Sequence, residues 1–310
     1  MSTAVRTFRH EALLYAGDDG FLAATIPFIR DGIAAGDAIL VVVDAPKLER
    51  LRAALGDDAD AVELADMAAV GANPGRIIAA WREFVDRYAG SGRRLRGIGE
   101  PINPRRAGAE LVECHRHEEL LNLAFADVYD FWLVCPYDTE ALEPAVVERA
   151  QSTHPLLSEG GVSRASARYD RDAPLAPSTE PLPEPEATPD ELAIGPDTLA
   201  RTRQFVRRHA DALGFSRQRR DDLALAVTEV VANTIRHGGG TGRLRLWRAD
   251  DTLVCEVTDR GRLSHPLAGR LPPPPGNDGG YGLWLVNQVC DLVQLRMFPD
   301  RNVVRLHMRI

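Results

Sequence analysis

A chain of 310 residues with 37 basic and 45 acidic side chains, formal net charge −8, is long enough for two domains with separate cores. It lacks the broad positive field that direct nucleic-acid binding or an anionic membrane surface selects. Its four cysteines, at 114, 135, 255 and 290, stand far apart with no Cys-x-x-Cys pairing, which argues against a disulfide scaffold and fits a reducing cytoplasm. The leading MSTAVRTFRHEALLYAGDD holds no apolar h-region, and no run approaches the ~18 apolar residues of a spanning helix, so a soluble, cytoplasmic protein is expected.

In chain order, the first half alternates strands and helices. His10 to Tyr15 reads as a strand ending in a turn at Gly17-Asp18-Asp19-Gly20, and Phe21 to Ala35 follows as a helix. Ala38 to Val43 (AILVVV) has the continuous apolar character of a strand buried on both faces. Asp44 then caps a helix through Leu55. Ala61 to Leu64 is a weak strand, Asn73-Pro74 opens a helix through Tyr88, and Arg94 to Ile98 is a strand ending at Gly99-Glu100-Pro101. A long helix over 107–125, a strand over 130–135 and a helix over 140–150 complete the series. This rhythm predicts a mostly parallel sheet with helices on both faces.

Such sheets bind ligands at the carboxyl ends of their strands. The candidates there are Asp18, Asp19, Asp44, Glu100 and Cys135, near Phe21 and Tyr137, a set suited to a small, partly apolar or cationic ligand of unknown identity. Ala16 to Gly20 lacks a Gly-Lys-Ser/Thr and turns two carboxylates towards any phosphate, which argues against nucleotide binding in this half. Cys114 and His117, three apart on a helix, share a face and are candidate metal ligands, with His10, Cys135 and His154 as distant partners. The other reading is a small core cysteine beside hydrogen-bonded histidines. From Arg164 to Thr188 the chain becomes rich in Pro, Glu and Ala, too poor in large apolar groups to offset its ordering entropy. The expected division is a domain at 1–160, an extended linker at 161–190 and a second domain at 191–310.

The second half centres on a helix, Asp221 to His237. Leu223, Val227, Val230 and Val231 form its apolar stripe, while Glu229 and Asn233 stand one turn apart on another face. A carboxylate and a carboxamide so placed can hold a divalent cation beside a hydroxyl, as phosphoryl chemistry requires. Strands at 243–248 and 252–258 follow, the second delivering Asp259 into a turn closed by Gly261, where a carboxylate can accept from an adenine amino group. Leu271-Pro-Pro-Pro-Pro-Gly276 then precedes Gly279-Gly280-Tyr281-Gly282-Leu283, which opens a helix over 283–292 and can bring backbone N–H groups to phosphate oxygens. The proline run suits a stiffened lid or a plain surface loop.

Three motifs in this order, Glu229-Val-Val-Ala-Asn233, Asp259-Arg-Gly261 and Gly280-Tyr-Gly282-Leu283, resemble those of the GHKL ATPase superfamily and, within it, the RsbW-like anti-sigma-factor serine kinases, over roughly Leu192 to Ile310. The resemblance implies an α/β sandwich that binds ATP. Asn233 would hold Mg²⁺, Glu229 would be the general base, Asp259 with Gly261 would bind adenine, and Gly280, Gly282 and Leu283 would wrap the phosphates. Arg201 matches a family arginine that serves partner contact and catalysis. The implied partners are a sigma factor and a STAS-domain anti-anti-sigma factor, with a homodimer also in keeping with the family. Where many members carry Gly-Thr-Thr-Val before the last strand, this chain has Arg301-Asn302-Val303-Val304. A non-catalytic module that sequesters a sigma factor or STAS partner by contact alone stays open. A histidine kinase does not fit, because no long dimerisation helix pair with an exposed phosphoacceptor precedes Leu192.

The first half resembles the MEDS sensory domain, a degenerate relative of RecA-like folds, through His10-Glu-Ala-Leu-Leu-Tyr15, His117-Glu-Glu-Leu-Leu-Asn122, Cys135-Pro-Tyr137 and Thr153-His154-Pro155. That resemblance covers about residues 7 to 158 and implies signal input rather than catalysis. The expected fold class is therefore α/β throughout: a mostly parallel RecA-like sheet followed by a GHKL α/β sandwich.

Overall fold

The computed structural model describes residues 8–175, 179–263, 265–273 and 280–310, and divides into two units, Met1–Leu175 and Ala176–Ile310. In the first unit β1 (Arg9–Tyr15) leads into α1 (Gly17–Ala35) and β2 (Ala38–Val43). The residues Gly17 to Gly20, expected as a turn, are the first turn of α1 instead. Asp18 and Asp19 lie where the helix dipole favours negative charge, and the Gly17 N–H donates to Asp138 Oδ1 at 3.2 Å. Gly36 ends α1 with φ 72°, a left-handed cap. Every residue of β2 is buried, as its unbroken apolar run predicts.

Asp44 caps α2 (Ala45–Leu55) by accepting from the Lys47 N–H at 3.2 Å. The unit continues with β3 (Glu63–Asp66), α3 (Met67–Val70), α4 (Ile77–Arg87), β4 (Leu95–Gly99), α5 (Gly108–Ala124), β5 (Phe131–Asp138), α6 (Pro144–Thr153), β6 (Leu156–Glu159) and β7 (Val162–Ala165). The strand order is β3-β2-β4-β5-β1-β6-β7, parallel except where β7 returns antiparallel on β6. The Pro-rich composition hid that hairpin: β7 falls inside the segment expected to be extended, because Gly160 and Gly161 at φ 57° and 80° turn the chain back. Further on, the carbonyls of Ala173 and Pro174 accept from Arg116 on α5, at 3.1 and 3.4 Å.

The second unit is built from β8 (Asp190–Ile194), α7 (Leu199–Ala212), α8 (Arg217–His237), β9 (Gly242–Ala249), β10 (Thr252–Asp259), α9 (Tyr281–Val289), β11 (Leu292–Met297) and β12 (Asn302–Arg309). Its sheet runs β11-β12-β10-β9-β8, every neighbouring pair antiparallel. One face packs on the helices through Val206, Leu223, Val227, Val231, Leu246, Cys255, Val286 and Leu306. Alternation puts polar side chains on the other face, where buried Glu256 accepts from Arg245 and Arg305 at 2.5 and 2.6 Å. Residues from the Pro-rich segment lie along that face. Glu184 accepts from Arg245 at 2.8 Å, and the Glu180 carbonyl accepts from Arg296 at 3.1 Å. Among the described residues, no helix is long and apolar enough to cross a membrane.

Candidate functional site

In the second unit, α8 presents the first two groups. Ser216 caps it by accepting from the Arg219 N–H at 3.3 Å, and the stripe Leu223, Val227, Val230 and Val231 is buried to within 2% exposure. That fixes the helix rotation, leaving Glu229 and Asn233 only partly covered. The N-terminal turn of α9 packs directly against them. A Cβ on Gly282 would lie 3.1 Å from Glu229 Oε2 and 3.3 Å from Asn233 Nδ2, a tight approach that would make those side chains give by a few tenths of an ångström. Gly280, at φ 96°, is its N-cap and, being glycine, supplies no side-chain cap. The next residue, Leu283, is half-buried against the core.

Asp259 closes β10. Its carboxylate accepts from Thr234 Oγ1 at 2.8 Å, the Gly261 N–H at 2.9 Å and Asn302 Nδ2 at 3.1 Å. Gly238 lies against the same carboxylate, where a Cβ would come within 2.5 Å of Oδ2. A carboxylate has about four lone-pair directions, so three protein donors leave room for one more. The sequence reading missed Thr234 and Asn302 as partners of Asp259, although both lie inside or beside quoted motifs. Arg201 is exposed on α7; two residues on, Arg203 Nε reaches α8 and donates to Thr228 Oγ1 at 3.2 Å. Asn287 ties α9 to the preceding loop by donating to the Gly269 carbonyl at 3.0 Å. Gly279 and the proline-run residues 274–276 lie outside the described residues.

In the first unit the strand-end candidates separate into groups. Asp18 pairs with Arg50 at 2.7 Å, and Asp44 pairs with Arg105 at 3.0 Å while capping α2. Glu100 is buried and accepts from Tyr15 at 2.6 Å and from Lys47 at 2.6 Å on both oxygens. Burial raises the Glu100 carboxyl above its ordinary value despite Lys47 and Tyr15 beside it. Lys47, which also lies 5.2 Å from the Phe21 ring centroid, was not singled out from sequence; the signal was a lysine one turn into the helix after β2. Cys135 instead faces His10, Glu118 and His154. Burial lowers His10 to about 4 and raises the Cys135 thiol. Cys114 is not in that group; its thiol points to the Pro101 carbonyl at 3.5 Å. A separate cavity of about 370 Å³ is lined by Arg9, Glu11, Phe28, Arg96 and Trp132 among others. There Arg9 stacks 3.7 Å from the Trp132 ring, and Trp132 Nε1 donates to Glu11 at 3.0 Å.

Residues 9–155 match the family model described as MEDS, the methanogen/methylotroph DcmR sensory domain, and residues 192–308 match the histidine kinase-like ATPase domain. The chain is thus a MEDS domain joined to a histidine kinase-like ATPase domain, as the two sets of motifs imply. Among curated relatives, a serine-protein kinase RsbW from Halalkalibacterium halodurans is 30% identical over 107 residues, covering 31% of this chain. The chain spans 65% of that kinase's length. Among solved structures, the RsbU and RsbW domains of Rv1364c from Mycobacterium tuberculosis match at 19% identity and TM-score 0.30, over 40% of this chain and 32% of that one.

Proposed function

We propose that the C-terminal domain binds ATP with Mg²⁺ and transfers the γ-phosphoryl group to a serine of a STAS-type anti-anti-sigma partner, with the MEDS domain as its sensory input and a sigma factor as the competing partner. The observation that carries this reading is the approach of Gly282 to Glu229 and Asn233, which joins the third motif to the first at one place. The similarity to a serine-protein kinase over 107 residues supports it.

The residues present fit the nucleotide. Asp259 keeps an acceptor direction for an adenine amino group, and the turn Gly280 to Gly282 opens a helix whose first N–H groups and dipole favour phosphate oxygens. Mg²⁺ would be held by the Asn233 side-chain oxygen, and when bound it neutralises charge on the phosphoryl oxygens. Glu229 accepts the proton of the serine hydroxyl. The bond formed joins that oxygen to the γ-phosphorus, and the bond broken frees ADP. Arg201, exposed on α7, is available to a docked partner.

The test is to incubate the purified protein and Mg²⁺ with γ-labelled ATP and the STAS proteins of its own genome. Label on a STAS serine supports the kinase. Tight sigma-factor binding without transfer to any of them supports the sequestering module instead.

A further inference from the structure

The first unit carries a constellation that phosphoryl transfer does not use. His10 on β1, Glu118 on α5, Cys135 on β5 and His154 just after α6 are all buried, and their ligand atoms lie within 4.8 Å of one another. His10 Nε2 is 3.2 Å from Glu118 Oε2 and 3.3 Å from Cys135 Sγ, while His154 Nε2 is 3.3 Å from the same glutamate oxygen. His10 and Cys135 share a sheet face, because Cys135 is the register partner of Ala12, two residues along β1.

The neighbours of each imidazole decide which nitrogen faces inwards as an acceptor. Asn122 donates Nδ2 to the Thr153 carbonyl at 2.8 Å, so the atom 3.1 Å from His10 Nδ1 is its oxygen and Nδ1 carries a proton. His154 Nδ1 lies 2.9 Å from the Ala150 carbonyl, which only accepts, and 2.9 Å from the Thr153 hydroxyl, whose own proton goes to that carbonyl at 3.2 Å; this arrangement places a proton on Nδ1. With the proton on Nδ1 in both, each ring turns Nε2 towards the Glu118 carboxylate. Both Glu118 oxygens and His154 Nε2 are buried without a hydrogen-bond partner among the described residues. The one thiol proton of Cys135 serves a single acceptor. Protonating both rings would bury two cations against one carboxylate, and protonating one would leave a fully buried imidazolium–carboxylate pair, whose desolvation is costly.

A divalent cation would meet all four groups at once. Metal–ligand distances of about 2.0–2.3 Å at tetrahedral angles require ligand atoms roughly 3.3–3.8 Å apart, and three of the pairs already stand at 3.2–3.3 Å. One carboxylate, one thiolate and two neutral imidazoles cancel a charge of +2, so the filled site is neutral. On binding, the Cys135 proton leaves to solvent. A mixed sulfur, nitrogen and oxygen set favours zinc over magnesium or calcium. We propose that His10, Glu118, Cys135 and His154 form a tetrahedral Zn²⁺ site, with Asn122 and the Ala150 carbonyl orienting the two imidazoles. The ion would join β1, α5, β5 and the end of α6 in one internal crosslink.

The experiment uses the full chain. After purification without chelator, metal analysis is expected to find one zinc per chain retained through dialysis. Apo-protein titrated with Co²⁺ is expected to show the intense visible bands of a tetrahedral centre and a sulfur-to-cobalt charge-transfer band, saturating at one equivalent. Cys135→Ser should abolish the sulfur band, and Asn122→Ala should weaken Co²⁺ binding by about 10–100-fold, the usual effect of losing a group that orients a metal-bound imidazole. Wild-type chain that is folded by circular dichroism yet holds no stoichiometric metal and gives no sulfur band would overturn the site, and that result needs no variant. Persistence of the sulfur band in Cys135→Ser would overturn the ligand assignment.

Discussion

Asn302 donates to Asp259 Oδ1 at 3.1 Å, and the two are register partners at one end of the β10–β12 pair. Asn302 stands in the stretch where the family resemblance leads one to expect Gly-Thr-Thr-Val. With Thr234 and the Gly261 N–H it fixes the carboxylate proposed to meet adenine. Asn302 is a positioning residue, so its loss should be felt through Asp259.

Asn302→Ala is expected to weaken both ATP and ADP binding by about fivefold, near 1 kcal/mol, the net worth of one hydrogen bond. Asp259→Asn should cost more, roughly 1.5–3 kcal/mol, because it removes a charged acceptor. Titration calorimetry on both variants checks this. Unchanged affinity in Asp259→Asn would remove the carboxylate from the nucleotide site.

The approach of Gly282 to Glu229 and Asn233 gives a second expectation. In Gly282→Ala the methyl group would press on Glu229 Oε2 and Asn233 Nδ2, displacing the groups proposed to handle the proton and the metal ion. Phosphoryl transfer should fall by about 10²-fold, the scale of a small misplacement of reacting groups, with the sheet intact by circular dichroism. Wild-type transfer rates in this variant would show that α9 and α8 need no such close contact.

How much of this was legible beforehand follows from how local each signal is. The run Ala38 to Val43 and the stripe on α8 are patterns within single elements, and both are buried as read. The bonds from Thr234 and Asn302 to Asp259 join residues 25 and 43 positions apart, and the register that sets them is not written in either stretch. Glu118 was hidden for a related reason. Attention to Cys114 and His117 followed helical spacing within α5, whereas sheet and helix packing select Glu118 to meet His10, Cys135 and His154. The turn expected at Gly17 to Gly20 failed because glycine and aspartate serve helix starts as well as turns.

Glu100 gives a pH-dependent prediction. Burial raises its folded-state pKa above the ordinary carboxylate value, so the folded chain binds this proton more readily than the unfolded one. The associated stability is full below the ordinary carboxylate range and is lost as pH rises through the raised value. Glu100→Gln cannot titrate. The ratio of wild-type to variant amide-exchange rates along β4 should therefore rise as pH increases from the ordinary carboxylate range through the raised value, and level off on either side. A ratio independent of pH would mean that Lys47 and Tyr15 fully offset the burial.

The central claim, that Glu229 takes a proton during phosphoryl transfer, is tested most directly by single-turnover transfer from labelled ATP to the STAS serine in wild-type and Glu229→Gln protein, both saturated with nucleotide and Mg²⁺. Glutamine keeps the shape but cannot act as the base. The account predicts equal nucleotide affinity and transfer slowed by about 10²–10⁴-fold, the usual contribution of a positioned general base. Equal transfer rates in the two proteins would contradict it.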